Sequence, residues 1–513
     1  MSTAIPLEKS RMQRVLDIVE RVGNQVPHPA VIFLLLILAT MLLAHVFYIS
    51  GAAVEFERIN PETHEIEIAT AEARSLLTGE GVRHMYTSMI PNFMGFTAVG
   101  LLIAAMIGVG VAEQSGLVNT LIRKLAAVAP RWALTYILVF VGILSSVAAD
   151  AGYLVLIPLA GTAVLTVGRH PEAGIAAGFA AVAGAFTVNM LIKPLDAVLT
   201  EFTNDAVRAV DPTLTIDLTA NIWFSIVSVI FLTVVISLIT ERVIEPRLGE
   251  YRPEGDAGSE PARGISPQES RGLLFAGIAL LATLAVFALL TLPAGAPLRD
   301  PVSGRLIGDT PFMSHLIVFI LVLFLAAGAA YGFGAGTMKN ATDVITAIEK
   351  SISGLGSLIL LLFIIAQFVA YFNYTNMATI LAVAMADWLD GSPIGPLWLL
   401  LGFIVVIAIL DLLITGAIPK WALFAPVFVP LFVRLGVAPE AVLAAYRIGD
   451  SPMNAVSPLN AYFALVVTFC HKYNRDAGVG TVVALMLPYV VWLFVLWMLL
   501  FAAWQLLGLP WGV

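Results

Sequence analysis

The sequence predicts an all-α polytopic membrane protein with nine transmembrane helices and two re-entrant hairpins in inverted repeats. Three observations predict this fold. The 513-residue chain is 59% hydrophobic and 12% charged, apolar runs of membrane-spanning length recur from end to end, and the two halves repeat one set of proline-anchored motifs. About 20 apolar residues cross a bilayer as a helix, so such runs are typical of polytopic membrane proteins.

Composition also narrows the possible partners. The net charge is -8 and no basic patch is present, so we expect the lipid bilayer and no nucleic acid as a partner. The single cysteine, Cys470, excludes an internal disulfide framework, so helix packing must hold the fold. Four basic residues precede the first apolar run, which is long for a signal-peptide core and lacks a small-residue cleavage site. We therefore expect a retained first span.

Nine apolar stretches predict full transmembrane helices, and two others predict hairpins. The nine lie at residues 30 to 49, 93 to 113, 173 to 199, 220 to 240, 272 to 292, 312 to 334, 354 to 376, 441 to 470 and 481 to 507. The stretches at 133 to 168 and 396 to 433 are interrupted near the middle by polar or helix-breaking residues. Each is long enough for two half-depth helices, which favours a re-entrant hairpin.

The distribution of Lys and Arg predicts the orientation. With the amino terminus in the cytoplasm, inside segments hold 17 of these residues and outside segments hold 7. Basic residues favour the cytoplasmic side, so the carboxyl terminus is expected in the periplasm. Treating either hairpin as a single crossing reverses every later segment and removes this bias.

Two hydrophilic excursions lie between the spans. Residues 51 to 90 carry seven glutamates and a Glu/Ile alternation, which suggests a small external cap with a hairpin. Residues 249 to 270 are rich in Pro, Gly, Ser and charge, which is typical of a flexible cytoplasmic linker. The linker divides the chain into a first half, 1 to 248, and a second half, 271 to 513.

The two halves repeat one pattern. An aromatic residue precedes a proline by five positions, that proline precedes a Pro-Glu-Ala motif by thirteen, and Pro-Leu-Asp-Ala or Pro-Leu-Asn-Ala follows. The anchors are Tyr153, Pro158, Pro171 and Pro194 in the first half, and Trp421, Pro426, Pro439 and Pro458 in the second. Each half thus contains a hairpin followed by a broken span. The charge bias places the two hairpin bases on opposite sides, as in the inverted repeats of secondary transporters.

Polar residues interrupt both broken spans. Charges and broken helices at membrane depth are expected only in protein-lined cavities, so these interruptions predict a substrate or ion site. The first span supplies Asn189, Lys193 and Asp196, the second supplies Arg447, Asp450, Asn454, Pro458 and Asn460, and the hairpin tips supply Asp150, Lys420 and Trp421.

Arg447 is the best candidate to bind an anionic substrate, because guanidinium offers a bidentate fork and keeps its charge. Asp450 lies three residues on, so a simple Arg447-Asp450 pair is the alternative. Asp196 is a candidate to carry a proton or hold a cation, and a structural pair with Lys193 is its alternative. Trp421 offers an aromatic face for a ring or a cation.

Oxygen-bearing side chains at the breaks and the first tip suit a sodium ion, the only metal ion that the sequence suggests. The candidates are Asp150, Asn189, Asp196, Asn454 and Asn460. No cofactor is expected, and the coupling ion is a proton or sodium.

The sequence resembles the p-aminobenzoyl-glutamate transporter (AbgT) family over nearly all of the chain after the first span. The resemblance rests on SSVAADAGYLVLIPLA from Ser145, AQFVAYFNYTN from Ala366, KWALFAPVFVPL from Lys420, AAYRIGDS from Ala444, GVGVAEQSGL from Gly108 and YGFGAGTMK from Tyr331. It implies a homodimer with a scaffold domain and a transport domain, and transport of aminobenzoyl-glutamate or export of sulfonamides and folate metabolites. The implied functional residues are Asp196, Trp421, Pro439, Arg447, Asp450 and Pro458.

The chain departs from the resemblance at the second hairpin tip. Ile418, Pro419 and Lys420 stand where small hydroxyl residues are expected. Fewer hydroxyl ligands weaken the prediction of sodium there, and an added ammonium, with Lys193, favours a more anionic substrate.

Four other functions compete with this transporter. A sodium-coupled dicarboxylate carrier and a passive channel remain open alternatives from the residues alone. An intramembrane aspartyl protease is disfavoured because the chain contains no Tyr-Asp pair, and zinc chemistry is disfavoured because it contains no His-Glu-x-x-His motif.

Overall fold

The computed structural model describes residues 27 to 59, 66 to 127, 130 to 148, 152 to 251, 265 to 306, 310 to 390, 395 to 412, 414, 416 to 457 and 459 to 513. It is mainly helical, as the sequence predicts. The helices of more than one turn are α1 (Pro29–Ile49), α2 (Gly79–Met94), α3 (Thr97–Gln114), α4 (Leu117–Ala127), α5 (Leu134–Leu144), α6 (Ile157–Thr166), α7 (Pro171–Gly184), α8 (Pro194–Arg208), α9 (Ile222–Ile239), α10 (Pro267–Thr291), α11 (Leu316–Ala335), α12 (Ala341–Ser353), α13 (Gly356–Tyr374), α14 (Met377–Asp390), α15 (Pro396–Asp411), α16 (Ala417–Arg434), α17 (Pro439–Asp450), α18 (Phe463–His471) and α19 (Val479–Leu506).

Eight helical stretches in the described part of the chain are long and apolar enough to cross a bilayer. Seven of them overlap predicted spans, and the eighth is α16, which was predicted to be one arm of a hairpin. The remaining predicted spans, 173 to 199 and 441 to 470, are each divided into two shorter helices, α7 and α8 or α17 and α18. The protein is therefore a multi-pass helical membrane protein.

Both segments predicted as hairpins contain two consecutive helices, but their arms differ in length. The first has α5 and α6, with 11 and 10 residues, and the second has α15 and α16, with 16 and 18 residues. At 1.5 Å per residue, α16 is about 27 Å long, close to the thickness of a hydrocarbon core. It exceeds the predicted half-depth helix because Pro426 and Pro430 lie within the helix without ending it.

The described parts of both hydrophilic excursions contain regular secondary structure. Strands β1 (Ala53–Ile59) and β2 (Ile66–Glu72) form an antiparallel pair, with Ala53 opposite Glu72, which confirms the predicted hairpin. Helix α2 then begins within the predicted cap. Most of the linker lies outside the described residues, but its end is helical. Ser266 and Glu269 form a reciprocal capping box, and α10 therefore begins at Pro267 rather than after residue 270.

Helices α7 and α17 lie in the interior of the molecule. Every residue of α7 is buried, and every residue of α17 except Glu440. Both helices are rich in Ala and Gly, and small residues allow helix backbones to approach closely in membrane proteins. At Gly449, an added Cβ would lie 2.6 Å from Ile407 Cβ on α15. This packing places the carboxyl ends of α7 and α17, where both spans break, inside the protein.

Candidate functional site

The two helix breaks contact each other. The first break is the segment 185 to 193 between α7 and α8, and the second is the segment 451 to 462 between α17 and α18. The Thr187 backbone N–H donates to Ser451 Oγ at 3.2 Å, and the Thr187 hydroxyl donates to the Arg447 carbonyl oxygen at 2.9 Å. Backbone groups released from the two helices are therefore satisfied by the opposite half of the chain.

Arg447 connects the second half to the first through its side chain. Nη1 donates to Asp196 Oδ1 at 2.7 Å and to the Thr187 carbonyl oxygen at 2.6 Å, and Nε donates to Asn221 Oδ1 at 3.2 Å. The Arg447 residue is 3% exposed and Asp196 is 8% exposed. The alternative Arg447-Asp450 pair was wrong, because both guanidinium and carboxylate find partners on other elements.

Asp196 has two separate contacts at the start of α8. Oδ2 accepts from the Lys193 backbone N–H at 2.9 Å, which caps the first turn, while Oδ1 accepts from Arg447. The Lys193 ammonium turns away from this carboxylate and donates to Ser146 Oγ at 3.2 Å and to the Phe186 carbonyl oxygen. Asp196 is thus paired by a side chain from the other half, and the alternative Lys193-Asp196 pair was wrong.

A second buried ionic cluster lies at the second hairpin tip. The Lys420 ammonium forms salt bridges with Asp450, at 2.7 Å, and with Asp411, and all three side chains are fully buried. The Tyr446 hydroxyl donates to Asp450 Oδ1 at 3.0 Å and to the Ala417 carbonyl oxygen. In this structure the Lys420 ammonium is paired with these two carboxylates, and its predicted role in substrate binding stays a prediction. Asp411, which the sequence analysis does not single out, also belongs to the cluster.

Trp421 joins the second hairpin to the first half. Its indole N–H donates to the Leu199 carbonyl oxygen at 3.1 Å and to Thr203 Oγ1 at 3.0 Å, both on α8. Its ring packs on Tyr446, with centroids 4.5 Å apart. The side chain is fully buried, so the aromatic face predicted for a ligand is covered by protein here.

The predicted asparagine ligands stabilise the breaks. The Asn189 amide N–H groups donate to Ser146 Oγ at 3.0 Å and to two carbonyl oxygens of the first hairpin. In the second break, the Asn454 amide donates to the Asp450 carbonyl oxygen at 2.7 Å, and the Asn460 amide donates to the Asn454 carbonyl oxygen at 2.9 Å. The Asn189 contacts hold the first break against the first hairpin, whereas the Asn454 and Asn460 contacts are local to the second break and the end of α17. The roles of these side chains as ion ligands stay predictions.

Of the three remaining predicted positions, the structure describes one. Pro439 is the first residue of α17, where its missing N–H costs no intrahelical hydrogen bond. Asp150 and Pro458 lie outside the described residues.

Sequence reasoning missed four residues that form hydrogen bonds with Arg447 or Asp450: Thr187, Asn221, Tyr446 and Ser451. Thr187 and Ser451 lie in the breaks, so their polarity inside apolar stretches was an available signal. Asn221 immediately precedes α9, where an asparagine is an ordinary cap residue. Nothing in the sequence distinguishes it from a cap.

Two cavities bear on ligand access. The cavity beside the Arg447-Asp196 pair has a volume of about 20 Å³, which holds a water molecule and no aromatic ligand. A cavity of about 710 Å³ lies against α4, α10 and α11, lined in part by Thr120, the Arg123-Glu269 ion pair and Tyr331. Because the ionic site is closed around its own side chains, substrate entry there requires a conformational opening.

Comparisons with known proteins agree on one family. The model of the AbgT putative transporter family matches residues 14–513. The p-aminobenzoyl-glutamate transport protein of Escherichia coli (strain K12) is 32% identical over 511 residues, which cover 99% of this chain and 98% of that protein.

Two solved structures have the same fold. The YdaH transporter of Alcanivorax borkumensis is 40% identical, with a TM-score of 0.88 over 95% of this chain and 100% of that chain. MtrF of Neisseria gonorrhoeae, from a class of antimetabolite efflux pumps, is 36% identical, with a TM-score of 0.90 over 96% of this chain and 97% of that chain.

Proposed function

The chain belongs to the AbgT putative transporter family, and from that membership we propose that it is a secondary active transporter for p-aminobenzoyl-glutamate or related folate metabolites. It is a transporter rather than an enzyme, as its relatives are. The substrate class is a small aromatic carboxylate. Its similarity to an antimetabolite efflux pump makes sulfonamides a second class of cargo to test.

The Arg447-Asp196 ion pair is the observation that carries this proposal. Arg447 is a buried cation at the contact between the two breaks. Its planar guanidinium fork can bind a substrate carboxylate with two parallel hydrogen bonds, which an ammonium cannot do. Asp196 occupies part of that fork when no substrate is bound. The carboxylate of the substrate takes the place of Asp196, and proton uptake by Asp196 removes the competing charge.

Alternating access explains how a closed site exchanges its cargo. Nine membrane crossings and two re-entrant hairpins form inverted repeats whose breaks meet near the middle of the bilayer. Each hairpin moves with the interrupted span that it contacts, the first through Asn189 and Ser146 and the second through Tyr446 and Ala417. Trp421 belongs to the second hairpin and packs on α8, so separation of the hairpin from α8 exposes its ring to an aromatic substrate.

The remaining features follow the sequence predictions. The protein lies in the bacterial inner membrane as a homodimer, with the amino terminus in the cytoplasm and the carboxyl terminus in the periplasm. A scaffold domain carries the dimer contact, and transport is driven by a proton or sodium gradient.

Reconstituted transport tests the proposal. Purified protein in proteoliposomes is given labelled p-aminobenzoyl-glutamate while a proton gradient or a sodium gradient is imposed separately, with and without excess succinate or a sulfonamide. We expect gradient-driven movement that succinate does not inhibit. Competition by succinate alone indicates a dicarboxylate carrier, and flux that is independent of both gradients indicates a channel.

A further inference from the structure

The Lys420 ammonium lies between two buried carboxylates, a position that suits a cation. Its Nζ forms salt bridges with Asp411 and Asp450, at 2.7 Å for Asp450, and none of the three side chains is exposed to solvent. A buried carboxylate pair without a cation is strongly unfavourable, because like charges in a medium of low dielectric constant repel each other. The position therefore needs one positive charge.

Helix geometry strengthens this need. Asp411 is the last residue of α15 and Asp450 is the last residue of α17, so two helix carboxyl ends meet at the same point. The carboxyl end of a helix carries a partial negative charge, which attracts a cation. Lys420 reaches this point from the first turn of α16, where the helix dipole opposes a positive charge. The ammonium is therefore attracted by the two carboxylates and by the carboxyl ends of α15 and α17. Helix α16 only links the ammonium covalently to the protein.

The oxygen atoms here are also suited to a metal ion. Asp450 Oδ1 accepts from the Tyr446 hydroxyl, whereas Asp450 Oδ2 is buried with no hydrogen-bond partner among the described residues. Carboxylate oxygens are the ligands that hard cations prefer. The cluster thus combines the charge and the donor atoms of a monovalent-cation site, and the ammonium fills it.

Charge balance argues against a second cation beside Lys420. Among the described residues, the buried ionic groups around the breaks and the second tip are three cations, Lys193, Lys420 and Arg447, and three carboxylates, Asp196, Asp411 and Asp450. A sodium ion added to this set leaves one uncompensated positive charge in the protein interior, which is costly.

We propose that the Lys420 ammonium is a tethered occupant of a monovalent-cation site formed by Asp411, Asp450 and the carboxyl ends of α15 and α17. The protein consequently needs no sodium ion at the second hairpin tip, and removal of the ammonium creates a sodium site there. The proposal assigns Lys420 to cation replacement instead of substrate binding. Only its transport readout rests on the proposed function.

Thermal unfolding of the purified full-length protein tests the site without any substrate. The midpoint is measured in sodium chloride and in choline chloride at equal ionic strength. We expect no sodium-specific shift for the wild type and a rise of several degrees for Lys420→Met, because an ion that binds only the folded state stabilises it. Lys193→Met is the matched control: it removes another buried ammonium, but one bonded to Ser146 and a carbonyl oxygen, so sodium should not stabilise it.

A second variant covers the case in which Lys420→Met does not fold. Lys420→Met with Asp411→Asn removes one charge of each sign, which the interior tolerates better than an unpaired carboxylate. This double variant should fold and lose the sodium response. A folded Lys420→Met variant that sodium stabilises no more than it stabilises the wild type overturns the proposal.

The transport readout separates this proposal from the proposed function. Wild-type uptake in proteoliposomes should be unchanged when choline replaces sodium. If the wild type does not carry p-aminobenzoyl-glutamate but sodium stabilises Lys420→Met, the proposed substrate is wrong and the cation site stands. If the wild type carries p-aminobenzoyl-glutamate but sodium does not stabilise a folded Lys420→Met variant, the cation site is wrong and the substrate stands.

Discussion

Arg447 Nη1 lies 2.7 Å from Asp196 Oδ1, although the two residues are 251 positions apart in the chain. They come from the two interrupted helices, one in each half. The contact is buried, and under the proposed function Asp196 is the carboxylate that the substrate replaces at Arg447. The function of the protein is therefore expected to depend on when this pair opens.

Removal of the guanidinium should abolish substrate binding. For Arg447→Ala we expect a loss of about 2 to 5 kcal/mol in binding p-aminobenzoyl-glutamate, which is roughly 30-fold or more in Kd. Isothermal titration calorimetry measures this loss. The variant leaves Asp196 buried without its partner, so its thermal stability should fall as well. Adding Asp196→Asn should restore part of the stability and none of the binding.

Arg123 provides the control for the location of the site. It lines the larger cavity and pairs with Glu269, far from the breaks in sequence. Arg123→Ala should leave the Kd for p-aminobenzoyl-glutamate within about twofold of the wild type, since a partly exposed ion pair contributes little. If Arg123→Ala abolishes binding and Arg447→Ala does not, the larger cavity is the substrate site.

Trp421 should be important for stability as well as for transport. Trp421→Ala removes a buried ring and two hydrogen bonds to α8, so we expect a loss of about 3 to 5 kcal/mol in the free energy of unfolding. Thr203→Val removes one of those acceptors, and about 1 kcal/mol is expected. Denaturant unfolding followed by far-UV circular dichroism measures the free energy of unfolding of both variants. A Trp421→Ala protein as stable as the wild type contradicts the observed packing.

The contact between α17 and α15 should tolerate no added side chain. Gly449→Ala would place Cβ 2.6 Å from Ile407 Cβ and 2.9 Å from the Ile404 carbonyl oxygen, so the helices must separate. We expect a loss of about 1 to 3 kcal/mol in stability, and a loss of transport because Asp450 moves relative to Lys420.

Gly402 is the matched control on α15, because an added Cβ there meets no atom within 4 Å. Gly402→Ala should be neutral or slightly stabilising, since alanine favours the helix. Thermal midpoints of the two variants, together with uptake in proteoliposomes, test the contact. Equal midpoints for Gly449→Ala and Gly402→Ala would show that the close approach does not constrain the helices.

The sequence predicted the membrane helices and the places where they break. Hydrophobic length and the position of Pro194 carry that information locally, because a proline can begin a helix but does not continue the preceding one. It did not predict that α16 continues through Pro426. A proline inside a helix is tolerated where neighbouring groups satisfy the released carbonyl, and that depends on packing.

The observed ionic pairs were not predicted. The two pairs that the sequence suggested, Arg447-Asp450 and Lys193-Asp196, each joined residues three positions apart. Lys193 precedes the helix that Asp196 caps, so their side chains do not share a helix face. Asp450 ends α17, where it meets Lys420 from another helix. Which charges meet is determined by the arrangement of distant elements, and periodicity along the chain contains no information about it.

Calorimetric binding of p-aminobenzoyl-glutamate to the Asp196→Asn variant tests the exchange of carboxylates most directly. Asparagine keeps an oxygen to accept the Lys193 backbone N–H, but it no longer competes for the guanidinium with a full charge. A charge-assisted hydrogen bond contributes about 1.5 to 3 kcal/mol, so we predict roughly 10- to 100-fold tighter binding than for the wild type, together with loss of proton-driven accumulation. Binding as weak as in Arg447→Ala would contradict the account, because Asp196 would then position Arg447 for the substrate instead of competing with it.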